Sequence, residues 1–167
     1  TQASSGDRIA AGKCVIPEER MRTGVIKDFS VLENAILCDH GHAPYSHQTL
    51  LDFKTIAKHT QELISDYAVK TPTADTPIKN LSGGNIQKLI LARELCRHPS
   101  VVIAAQPTRG VDIGASEYIH HRLLEQRSAG AATLLISEDL DEVRALSDRI
   151  AVIFEGRLMG VVDAATA

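Results

Sequence analysis

The rhythm of apolar and polar residues changes twice along this chain. Residues 8–17, "RIAAGKCVIP", predict a short strand ended by Pro17, which lacks an N–H and stiffens the turn. From Asp28 to about Lys70 the spacing becomes helical. Val31, Leu32, Ala35 and Ile36 fit one helix; Leu50, Leu51, Phe53, Ile56, Leu63 and Ile64 fit another. Between them lies "CDHGHAPYSH", a Gly/Pro loop. The stretch "KTPTADTPIKN" (70–80) holds Pro72, Asp75 and Pro77 and reads as a linker dividing the chain in two.

After residue 80 the order turns regular. A helix is predicted over 82–96, with Ile86, Leu89, Ile90 and Leu95 roughly on one side. "SVVIAA" (100–105) is a continuous apolar run, the pattern of a strand buried on both faces. A helix over 115–128 stops at Gly130, which tolerates positive φ. "ATLLIS" (132–137) reads as another buried strand. A helix over 139–147 opens with Asp139, Asp141 and Glu142, acids that suit the positive end of its dipole. "RIAVIF" and "RLMGVV" then form a hairpin about Glu155 and Gly156. Strand alternating with helix predicts a parallel sheet and an α/β fold.

Composition narrows the partners more than the fold. At 167 residues the chain is long enough for one domain with its own core. A net charge of −3 offers no electrostatic case for nucleic acid or anionic lipid as the main partner. No apolar run approaches ~18 residues and no signal peptide opens the sequence. Cys14, Cys38 and Cys96 lie far apart without CxxC spacing and read as reduced, buried thiols of the cytosol. The chain starts at Thr1 without methionine, in the soft stretch "TQASSGDR". That points to a piece of something longer, or to processing or recombinant expression.

The candidate chemistry begins at "NLSGGN" (80–85). Gly83 and Gly84 let backbone approach an anion, Ser82 offers a hydroxyl, and a helix start directs free N–H groups outward. On four residues alone, a plain Ser-capped helix after a Gly turn is the safer reading. The longer string "NLSGGNIQKLILARELCRHPSVVI" resembles the signature region of ABC-type ATPases over its whole length. "VIPEERMRTGVIKDFSVLENAIL", "QPTRGVDIGASEYIHHRLLEQRSAG" and "LLISEDLDEVRALSDRIAVIFEGRLMG" extend the likeness to nearly the whole chain. They resemble the second ATPase half of simple-sugar and nucleoside importers. Within that group the likeness is to nucleoside-type importers working with a lipoprotein receptor.

The resemblance implies a partial ABC-type ATPase domain, with a parallel sheet flanked by helices and a helical subdomain. Residues 1–17 would be a remnant of the nucleotide-binding core and 18–79 the helical subdomain. Residues 80–167 would carry the signature helix and the C-terminal part of the core. It also shows what has changed. Family members end the buried strand in Asp-Glu, for the Mg²⁺ shell and the attacking water; here stand Ala105 and Gln106. The switch histidine falls on Glu138 and the glutamine-loop position on Glu18. No GxxxxGK[ST] occurs, so the lysine loop that holds the β- and γ-phosphates is missing.

An asymmetric pair follows from the resemblance. This chain would donate Ser82, Gly83, Gly84 and Asn85 to an ATP site whose lysine loop, Asp, Glu and His belong to a partner half. Asp112 would contact across the same interface. No catalytic residue and no metal ligand are expected in its own site, at Ala105, Gln106 and Glu138. ATP and Mg²⁺ would serve the intact transporter, while the chain alone neither hydrolyses ATP nor binds Mg-ATP tightly. Expected partners are the other ATPase half, an integral membrane permease near residues 18–36 and, indirectly, a solute-binding lipoprotein. The location would be cytoplasmic, peripheral to the membrane through the permease.

Two rival functions remain at this stage. One is a soluble ABC-type ATPase of DNA repair or translation, though such proteins often carry coiled-coil inserts or basic faces that this chain lacks. The other is a non-enzymatic interaction module. His40, His42 and His47 read as a polar surface loop, lacking Zn spacing. His120 and His121 read as exposed and partly buried neighbours on a helix, and Arg109 as a surface or interface charge. A final expectation concerns the edge of the sheet. Strand 100–105 would lack a pairing neighbour, leaving the chain less stable than a complete half and prone to self-association.

Overall fold

Three short parallel strands form the centre of the computed structural model, which describes residues 4–166. β1 (Lys13–Ile16), β4 (Val101–Ala105) and β5 (Ala132–Ile136) lie in the order β1-β4-β5. The register sets Lys13 beside Val101, and Val101 beside Ala132. Thr1 to Ala3, which open the soft N-terminal stretch, lie outside the described residues. β4 is therefore central and paired on both sides, contrary to the expectation that it lacks a neighbour. Among the described residues the open edges belong to β1 and β5.

The strand predicted over 8–17 is shorter than its apolar pattern. Its first residues belong to α1 (Ser5–Ala10), which a reciprocal cap between Ser4 and Asp7 starts, and only Lys13–Ile16 pair. After Pro17 come one wide turn of π-helix at Arg20–Gly24 and then α2 (Val31–Ala35). Ser30 and Glu33 cap α2 reciprocally. Fully buried Asn34 ties the preceding loop down: its side chain accepts from Ile26 N–H and donates to the carbonyls of Ile26, Phe29 and Ser30. Leu50 and Leu51 are not helical. They form β3 (Leu50–Leu51) against β2 (Ser46–His47), and the second helix, α3, spans Phe53–Asp66. Two adjacent leucines fit either period, and here they lie on the surface.

The predicted linker is packed against α2 and the loop before it. Thr76 and Ala74 carbonyls accept from Val31 and Leu32, and Ile78, fully buried, donates to Phe29. Its prolines shape an anchored turn.

α4 (Gly83–Leu95) runs through the middle of the molecule. Ile86, Gln87 and every residue from Leu89 to Leu95 are buried, so it packs all round and not on the single side the sequence implied. With Ile16, Val102, Ala104, Ile119 and Leu123 it makes one continuous core. α5 (Ile113–Ser128) starts two residues earlier than predicted, because Asp112 caps it. Gly130, at φ +95°, follows its end. Asp139 caps α6 (Leu140–Leu146) by accepting from Asp141 and Glu142 N–H.

β6 (Arg149–Phe154) and β7 (Arg157–Asp163) form the expected hairpin. Glu155 and Gly156 are both at positive φ, the geometry of a tight two-residue turn. Neither β4 nor β5 is buried throughout as predicted. β5 and the hairpin leave Leu134, Ile136, Ile153, Phe154 and Leu158 exposed, and β4 is deeply buried only at Val102 and Ala104. Among the described residues no helix is long and apolar enough to cross a membrane.

Candidate functional site

The start of α4 and the loop after β4 meet on one side of the core. Ser82 caps α4; its Oγ accepts from the Asn85 N–H at 3.4 Å and from Asn85 Nδ2 at 2.9 Å. Because Oγ accepts on the inside, its own hydrogen is free to be donated outward, and Ser82 is exposed. Gly83 and Gly84 sit in the first turn, where helical geometry supplies no carbonyl for their N–H groups. Asn85 has a supporting place: its Oδ1 accepts from Lys70 N–H at 2.8 Å while its Nδ2 holds Ser82. The ensemble of one hydroxyl and two N–H groups at the positive end of a helix fits a phosphate oxygen.

Close approach favours glycine here. A Cβ on Gly83 would lie 2.8 Å from an Arg20 nitrogen and 3.4 Å from the Gly110 carbonyl. A Cβ on Gly84 would lie 3.3 Å from Ala115 Cβ and 3.7 Å from Asp112 Oδ2. Asp112, whose Oδ1 accepts from Ala115 N–H at 2.8 Å, thus stands beside Gly84. The structure brings Ser82, Gly83, Gly84, Asn85 and Asp112 together.

The parallel strands end differently. Ala105 offers only a methyl group. Gln106 takes a left-handed backbone, φ 47°, unusual for a residue with a side chain. Its N–H donates to the Ile136 carbonyl at 2.7 Å, and its Oε1 accepts from Glu138 N–H at 3.4 Å. Gln106 and Glu138 are therefore neighbours, stitched across β4 and β5. These residues do not fit a Mg²⁺ ion, since a methyl, an engaged neutral amide and one exposed carboxylate make no hard-oxygen shell. Among the described residues no group of three His, Cys, Asp or Glu is placed to hold a metal, His40, His42 and His47 included. Glu18 forms an ion pair with Arg109 in the loop after β4.

No family profile matches the chain. It is 48% identical over 148 residues to the guanosine import ATP-binding protein NupO of Bacillus subtilis, spanning 89% of this chain and 29% of that protein. It is 44% identical over 151 residues to the nucleoside import ATP-binding protein NupA of Lactococcus lactis, at 90% and 30% coverage. The ribose import ATP-binding protein RbsA of Clostridium perfringens is 44% identical over 157 residues, at 94% and 31%. The sequence likeness is to import ATP-binding proteins, and the fold is that of ABC-type ATP-binding cassettes. The chain spans somewhat under a third of the length of these curated relatives. The fold agrees. A dimeric post-hydrolysis ATP-binding cassette bound to ADP and Pi superposes with TM-score 0.76 at 19% identity, over 98% of this chain and 68% of that one. A nucleotide-free cassette gives 0.76 at 22%, over 98% and 65%.

In this chain two residues near the site escaped sequence reasoning, because their partners are remote in sequence. Arg20 donates to the Arg109 carbonyl at 2.6 Å and the Gly110 carbonyl at 2.8 Å. Glu142, read as a helix-dipole acid, is 3% exposed. Its Oε1 accepts from Thr108 Oγ1 at 2.8 Å and bonds His120 Nε2 at 2.9 Å, whereas its Oε2 is buried without a partner. His121 is exposed and pairs with Glu125. The cysteines are free; burial, above all, pushes Cys14 up to about 12 and Cys38 and Cys96 to about 11.

Proposed function

We propose that this chain is part of the ATP-binding, energy-coupling component of an importer for nucleosides or simple sugars. The relatives' names support the importer and its solute class. The single observation that carries the mechanism is the contrast between the two ends of the site. One end presents Ser82 Oγ and the Gly83 and Gly84 N–H groups outward on a 13-residue helix; the other holds Ala105, Gln106 and Glu138, a set that fits no metal.

In this reading ATP supplies the γ-phosphate that is cleaved, in a site whose lysine loop, Asp, Glu and His belong to the partner ATPase half. The chain's own residues orient and stabilise that phosphate from across the interface, with Asp112 beside them. The chain's own site holds nucleotide at best. Residues 18–79 form the subdomain that meets the permease. A cleft of about 500 Å³ opens beside this segment, lined by Arg22, Thr23 and Ile26 on one side and by Arg8, Lys13 and Val15 on the other. The component would be cytoplasmic, held at the membrane by the permease, with a solute-binding lipoprotein acting outside.

Steady-state ATPase of the reconstituted transporter is the test. Ser82→Arg should lower turnover ~10²-fold or more, since losing a preorganised donor alone costs about that much. Gln106→Ala and Glu138→Ala should leave turnover near that of the unmodified transporter. The opposite pattern would show that the Ala105–Gln106 end is the working one and would invert the assignment.

A further inference from the structure

We infer that Arg20 is a positioning residue for the signature, fixing Gly83 and the loop 109–112 at their working separation. The inference rests on the proposal that Ser82, Gly83 and Gly84 act on a phosphate, and adds a residue that the phosphate would never touch.

Arg20 reaches from the turn after β1 to a loop about ninety positions away in sequence. Its two terminal nitrogens donate to successive carbonyls, those of Arg109 and Gly110. Successive carbonyls seldom face one donor group. Gly110, at φ +64°, turns the backbone so that they do. A planar guanidinium with parallel N–H groups matches such a pair; a lysine ammonium, a single point donor, does not. Burial lowers the Arg20 pKa from its ordinary value, yet a guanidinium stays protonated throughout the neutral range.

The same guanidinium is also the surface on which the signature rests. The position a Gly83 Cβ would take lies 2.8 Å from its Nη2, so a side chain there would have to push the guanidinium off the two carbonyls it holds. Arg20 thus lies between Gly83 and Gly110, touching both sides of the gap. Beside it, Arg109 returns the contact by pairing with Glu18. Two side chains therefore join segment 18–20 to 109–110 in opposite directions. The loop they hold runs directly into Asp112, which caps α5 and stands behind Gly84.

If this clamp sets the signature's position, removing it should misplace donors and not abolish nucleotide contact. A misplacement of ~1 Å can cost ~10²-fold in rate. In the reconstituted transporter, Arg20→Ala and Arg20→Lys should therefore each lower kcat by roughly 10- to 100-fold, with KM for ATP little changed. Free guanidinium ion should restore part of the kcat lost in Arg20→Ala, and none in Arg20→Lys, whose ammonium fills the space. Gly83→Ala should cost less turnover in the Arg20→Ala background than alone, because its collision partner has gone. Wild-type kcat in Arg20→Ala overturns the inference, and so does a loss that guanidinium leaves unchanged and that multiplies with Gly83→Ala. Ser82→Arg in the same assay separates the two readings. If it is silent, the signature proposal itself fails; if it abolishes turnover while Arg20→Ala does not, only the clamp fails.

Discussion

Arg93 and Glu94 are adjacent in α4, and each side chain is 6% exposed. The guanidinium pairs with Glu94 Oε1 at 3.0 Å and donates to the Gly24 carbonyl at 3.0 Å and the Asn34 carbonyl at 3.3 Å. One buried cation thereby holds the central helix to the π turn and to α2. Arg93→Met would strand a buried carboxylate, and a cost of about 3–5 kcal/mol is expected. Arg93→Met with Glu94→Leu should recover part of it, because both charges then leave together. Urea unfolding followed by circular dichroism measures both. The thiols add a pH dependence. Unfolded cysteines ionise near 9, whereas folded Cys14 waits until about 12 and Cys38 and Cys96 until about 11. Their contribution is complete below pH 9 and is lost as pH rises from 9 through 11–12, because the unfolded chain releases protons that the folded one retains. A variant with all three changed to alanine should lose less stability over that alkaline window, which thermal unfolding at stepped pH would show.

At the scale of elements, the helices of the sheet region start at side chains that can be read locally. Ser82, Asp112 and Asp139 each accept backbone N–H groups of the turn they begin. Asp112→Ala should cost ~1 kcal/mol through α5 alone, or roughly 2–4 °C in Tm for a chain of this size. Asp112→Asn should keep most of that. Comparing melting temperatures of the two separates the cap from any interface role. Such local signals explain why α4, α5, α6 and the hairpin were legible in the sequence, to within a residue or two. Leu50 and Leu51 mislead because the hairpin that holds them is two residues wide on each side and mostly exposed, so no period is enforced. Pro72 and Pro77 mark a turn correctly but say nothing of its anchoring to α2, which depends on bonds across some forty residues. The signature residues were readable as a string. Arg20 and Glu142 were not, because each owes its place to a loop that only the fold brings near.

At the scale of the whole molecule, β5, α6 and the hairpin carry much of the exposed apolar surface. Among the described residues β5 has no strand beyond it, and between β5, α6 and the hairpin lies a groove of about 620 Å³. Leu134, Ile153, Phe154 and Leu158 are each more than half exposed around this region. An open edge beside exposed apolar side chains favours pairing with another chain. Sedimentation velocity on the 167-residue chain should therefore show association that grows with concentration, and Leu134→Lys with Phe154→Lys should return it toward the monomer. A wild-type chain that stays monomeric at high concentration would contradict this. The pairing of β1 with β4 also has a consequence in time. Gly12 and Ser100, at the entry to the two strands, are 88 residues apart. At a synthesis rate of about 5–20 residues per second, the ribosome needs roughly 4–18 s to cover that distance. During that interval β1 has emerged and its partner does not yet exist. The helices between them can form meanwhile from local contacts, so the sheet is the last part of the core to close, and a nascent chain stalled before β4 would expose Cys14 and Ile16 to whatever binds apolar segments first.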